Sequence, residues 1–104
     1  METINIATEI FPNLESRGFA RQLRDLIIER GLKEVQIDFS DITWAGRAFM
    51  DEFYREVYTN PDFRAIPVNM AEDFRLMLIA VSHTQTRKEQ VEPFSHTPPT
   101  YIEI

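Results

Sequence analysis

The sequence predicts an α/β fold, a two-layer sandwich in which a small, mostly parallel sheet carries about three helices packed on one face. Three observations lead there. Apolar residues recur with a period of two, then with a helical period, and the two patterns alternate along the chain. Each two-period segment has only one apolar side, whereas a sheet covered by helices on both faces needs strands apolar on both. The length, 104 residues of which 43% are hydrophobic, provides for one core and not two.

The first predicted strand is Thr3 to Ile10, with Ile4, Ile6 and Ile10 on one side. Phe11-Pro12-Asn13 breaks the pattern, and Ser16 is placed to cap a helix in which Phe19, Leu23, Leu26, Ile27 and Arg30 form one stripe. Gly31 ends that helix. Val35, Ile37 and Phe39 alternate with Gln36, Asp38 and Ser40 in a second strand, Glu34 to Asp41. After Gly46 the period turns helical again through Phe49, Met50, Phe53, Tyr54, Val57 and Tyr58, and Asn60-Pro61 stops it. Ile66, Val68 and Met70 define a third short strand, and Pro67, which has no N–H for a ladder, assigns it to an edge or a bulge. Asn69 and Glu72 match a capping box for a last helix with Phe74, Met77, Leu78 and Val81 at core spacing. Strands and helices in alternation imply right-handed βαβ crossovers.

These elements define one domain over residues 1–83. Residues 84–104 are polar at first, contain Pro93, Pro98 and Pro99, and end in Tyr101-Ile102-Glu103-Ile104. They are expected to form a partly extended or flexible C-terminal arm whose last four residues could pair with a sheet edge in this molecule or a neighbour.

Composition narrows function chiefly by exclusion. Seventeen acidic residues against eleven basic ones give a formal charge of −6, which repels phosphate backbones and anionic lipid and disfavours nucleic acid as a partner. Without cysteine there are no disulfides, cysteine metal sites or thiol catalysis. The longest apolar run, Leu76 to Val81, is far shorter than the roughly 20 residues that span a bilayer. The acidic start Met1-Glu2-Thr3 lacks the basic region of a signal peptide, so a cytoplasmic location is expected.

No catalytic set stands out. His83 and His96 have no metal-ligand spacing, the serines (Ser16, Ser40, Ser82, Ser95) lack a nucleophile-elbow pattern, and Gly18, Gly31 and Gly46 form no phosphate-cradling loop. Trp44 and the aromatics after it have no basic groove to make them a stacking platform for bases, and their spacing reads as core. Asp38, Asp41 and Asp51 are the acids a small metal-dependent hydrolase could use. Glu52 and Glu56 share a helical face with Arg55 as a screening partner, the arrangement of a solvated surface. No cofactor is implied.

The most informative segment is the strand-to-helix junction Asp41-Ile42-Thr43-Trp44-Ala45-Gly46-Arg47-Ala48, which sets a helix N-terminus at the carboxyl end of a strand. Val35 to Ile42 followed by Arg47-Ala48-Phe49-Met50-Asp51-Glu52-Phe53, with Ser16 to Ala20 and Val68-Asn69-Met70, resembles the STAS-like domains of unknown function. These are bacterial relatives of the sulfate transporter and anti-sigma factor antagonist domain, and the resemblance covers about residues 3–83. It implies an α/β sandwich, a non-enzymatic cytoplasmic role and a protein partner, in the better understood relatives an anti-sigma factor with a histidine-kinase-like ATP-binding fold. In those antagonists the partner phosphorylates a hydroxyl in the first turn of the helix after this strand. The matching positions here are Arg47 and Ala48, and neither carries a hydroxyl. Thr43, the nearest, precedes Trp44 at the strand end. The expectation is a regulatory interaction module that docks through Thr43, Arg47, Ala48, Asp51 and Glu52, with Arg47, Asp51 and Glu52 as exposed contacts. The alternatives are the hydrolase and a structural homo-oligomer, a homodimer through the arm and the Pro67 edge.

Overall fold

A computed structural model describes the backbone of residues 1–91 and the side chains of residues 1–84. The elements are β1 (Glu2–Asn5), α1 (Ile6–Glu9), β2 (Asn13–Leu14), α2 (Arg17–Glu29), β3 (Glu34–Asp38), β4 (Trp44–Ala45), α3 (Arg47–Phe53), a π-helical turn (Tyr54–Tyr58), β5 (Arg64–Val68) and α4 (Glu72–Val91). The main sheet has the order β1-β3-β5 with both pairs parallel, and β2 and β4 form a separate parallel ladder. Because the order advances in one direction, right-handed crossovers bring α2 and α3 to the same face. There α2 packs against α3, and α3 against α4. The expected two-layer α/β architecture is present.

The register assigns the two faces. Ile4 lies beside Ile37, which lies beside Pro67, and Val35 lies beside Ala65. Ile4, Val35, Ile37 and Ala65 are buried, and so are Phe49, Met50 and Phe53 of α3. Phe53 meets Phe39 edge to face at 5.5 Å and Phe49 in a stack at 5.7 Å, favourable aromatic geometries. The other face carries Thr3, Asn5, Gln36, Asp38, Ile66 and Val68, none of them buried.

The helix α2 is closed at both ends as its sequence predicts. Ser16 Oγ accepts from the Gly18 N–H at 3.0 Å. At the other end Gly31 adopts φ +67°, and the amides of Gly31 and Leu32 bond back to the Ile28 and Ile27 carbonyls at 3.0 and 3.2 Å. That is a Schellman closure, which needs a left-handed residue and so favours glycine. Ala20, Leu23 and Ile27 are the buried stripe between these caps.

Four expectations need correction. The first strand stops at Asn5 rather than running to Ile10, because Asn5 Oδ1 accepts from the Thr8 N–H at 3.0 Å and caps the turn α1. In β5, Ala65 and Pro67 take the helix-covered face while Ile66 and Val68 take the other, the reverse of the apolar pattern. Asn69 does not cap α4. It sits at φ +56°, which asparagine tolerates, and donates its side-chain amide to Asp38, while Glu72 pairs with Arg75. Finally, α4 continues to Val91, past residue 84 where the arm was expected to begin. The prolines and the apolar end of that arm lie outside the described residues.

Pro67 does fall in an edge strand. The Arg64 N–H donates to the Lys33 carbonyl at 2.8 Å, and the Phe39 N–H donates to the Val68 carbonyl at 3.1 Å, so residues 64 and 68 direct their backbone groups at β3. Alternation turns Ala65 and Pro67 to the free edge. The ring nitrogen therefore occupies a place where an unpaired N–H would otherwise invite another strand.

Candidate functional site

The β4–α3 junction is held by contacts distant in sequence. Thr43 donates to the Pro12 carbonyl from its N–H at 2.9 Å and from its hydroxyl at 3.1 Å. Trp44 and Ala45 pair with Asn13 and Leu14, and the Gly46 N–H donates to the Leu14 carbonyl at 2.9 Å. What reads as a loop in sequence is therefore a strand of a small ladder. Nothing local in the sequence signals that ladder.

On this base Trp44 is 52% exposed, a large fraction for the largest apolar side chain. Its indole folds over Gly46, the N-cap of α3. A Cβ at Gly46 would lie 2.7 Å from Trp44 Cη2 and 2.9 Å from Cζ3. Gly46 itself has φ −93° and ψ 168°, so the glycine is required by the ring and not by the backbone. Phe11 is 49% exposed, two residues before the Asn13 that pairs with Trp44, and its ring stacks on Phe19 at 5.4 Å.

Arg47 opens α3 and is exposed. The seven other arginines with described side chains each have a carboxylate oxygen at 3.4 Å or closer; among the described residues Arg47 has none within ion-pair distance. Thr43 is exposed, Ala48 is half-buried, and Asp51 is half-buried beside Arg17 at 3.8 Å.

Glu52 is the correction among the expected contacts. It is buried, with 4% of its surface exposed, and is bound by Arg17 (3.4 Å), Arg21 (2.9 Å) and Arg55. Burial pushes its carboxyl pKa up, but the hydrogen bonds from Arg21 and Arg55 outweigh burial and hold it below the usual glutamate value. Arg24 and Glu56 add a further link between α2 and the π-helical turn. Glu52 thus clamps α3 to α2 and holds the junction from behind.

At the carboxyl end of the sheet, Asp38 Oδ1 accepts from the Ser40 N–H (2.9 Å) and from Asn69 Nδ2 (3.1 Å), and Asn5 Nδ2 donates to Asp41 (3.3 Å). The Asn69 bond and then the Ser40 bonds keep the Asp38 carboxyl below its ordinary value, so near neutrality it is an acceptor with no proton to give. Asp38, Asp41 and Asp51 do not converge, and among the described residues no three His, Asp or Glu side chains are grouped to hold a metal. Two shallow grooves, of about 240 Å³ before β3 and β5 and about 360 Å³ beside β5, contain none of these three acids. Among the described residues no helix is long and apolar enough to cross a membrane.

The fold and this site define a class, a small two-layer α/β domain with a preformed aromatic and cationic surface. No family model, curated protein or solved structure matches the chain.

Proposed function

We propose that this chain is a regulatory interaction module that docks a protein partner through the β4–α3 junction, in the manner of anti-sigma factor antagonists but without a phosphoacceptor at Arg47 or Ala48. The observation that carries the reading is Arg47, exposed and without a carboxylate among the described residues, beside a half-exposed Trp44 fixed on a ladder. Tryptophan and arginine are the residues that dominate interface energetics when they are held in place. The docking set becomes Trp44, Arg47 and Phe11, with Thr43 and Ala48 at the rim. Glu52 supports them from inside.

The partner class that the resemblance favours is a histidine-kinase-like ATPase, and the location that goes with it is the cytoplasm. The test uses the full chain as bait against such ATPases encoded beside it, with Trp44→Ala and Arg47→Glu in parallel. A complex formed by the parent and weakened at least about tenfold by both variants supports the reading. A complex indifferent to both variants, or none with any of those ATPases, overturns it.

A further inference from the structure

Resting on the reading of the junction as a docking surface, we infer that a second copy of this chain covers it, each Arg47 meeting the other copy's Asp41 on either side of the two Trp44 rings. The junction carries an exposed cation and an exposed anion that do not satisfy each other. Among the described residues Arg47 has no carboxylate within ion-pair distance, whereas each of the seven other arginines with described side chains does. Asp41 is also exposed. Its contact is the neutral amide of Asn5 at 3.3 Å, with no cation at ion-pair distance among the described residues. Unpaired carboxylates are common on a chain with 17 acids, so the weight falls on the unpaired arginine.

Asp41 and Arg47 each stand three residues from Trp44 along the chain, and Trp44 and Phe11 are half-exposed apolar side chains of the same junction and the strand paired with it. A junction that carries both an unpaired cation and an unpaired anion can satisfy each with the other copy's counterpart across a two-fold axis, the symmetry of an isologous dimer. Exposed ion pairs contribute little, so the association is weak and yields to a partner that uses the same residues. Self-covering would then hold the docking surface closed until the partner arrives.

The full-length chain is sedimented from about 1 μM to about 1 mM, the span of weak association. The mass is expected to rise from one chain toward two, with emission from Trp44, the only tryptophan, moving to shorter wavelength over the same range. Arg47→Asp and Asp41→Arg should each weaken the association at least about tenfold, and combining them should restore it to within about threefold. Far-UV circular dichroism on each variant reports folding, and Trp44→Ala tests the same contact without altering charge. A single-chain mass at every concentration overturns the inference, as does an association that ignores either reversal or is not recovered by the swap. Such failure leaves the docking proposal standing, because that depends on loss of a heterologous complex.

Discussion

Replacing Glu52 with glutamine tests how the junction is held in place. The parent carboxylate is 5% exposed and receives three guanidinium groups, from Arg17, Arg21 and Arg55, which are themselves 43%, 52% and 46% exposed. Breaking a fully buried ion pair costs about 3 to 5 kcal/mol because the abandoned charge stays dry, whereas breaking an exposed pair costs at most about 1 kcal/mol. Here the anion is dry and the cations can return to water, so the expected loss is about 2 kcal/mol. In a domain of this length that is a fall of roughly 8 to 16 °C in melting temperature. The pH dependence follows from the lowered carboxyl. A folded pKa below the unfolded value means that the clamp stabilises fully above about pH 4.5 and fades as pH falls through the folded value. Chemical denaturation of parent and Glu52→Gln at neutral pH and in acid measures both effects. A neutral-pH difference under about 0.5 kcal/mol, or one that persists unchanged in acid, would refute the assignment of Glu52 as the clamp.

Two further outcomes bear on the junction and the sheet edge. Gly46→Ala should change the free energy of unfolding by no more than about 1 kcal/mol, since its backbone suits alanine, yet displace the indole that now lies where the new Cβ would be. An unchanged tryptophan emission and near-ultraviolet dichroism would contradict that geometry. Pro67→Val places an N–H on the free edge of β5 and should speed aggregation, followed by light scattering during incubation. Equal rates for variant and parent would show that the proline does not guard the edge.

Local chemistry made much of the fold readable. Ser16 and Gly31 act through their own side chain and backbone, so α2 is closed where the sequence closes it. Pro67 announces its edge by a missing donor. Periodicity fails where one pattern fits two structures: Ile4, Ile6 and Ile10 satisfy a strand, but Ile6 and Ile10 are also four apart, as in the turn that Asn5 caps. It fails again in β5, where the small Ala65 faces the helices and the larger Ile66 and Val68 do not, because burial of a small residue leaves a weak mark on an apolar pattern. The rule that charges seek water puts Glu52 outside. Two of its partners are on another helix, more than thirty residues away, beyond any spacing rule. The ladder that fixes Trp44 is hidden for the same reason.

That ladder also sets the energetics of recognition. With the Thr43 and Gly46 amides engaged by carbonyls of residues 12 and 14, the recognition elements are ordered before anything arrives, so little conformational entropy remains to be lost on contact. Capture should then behave as rigid-body collision, with slow hydrogen exchange at those two amides in the free chain and hardly any added protection in the complex.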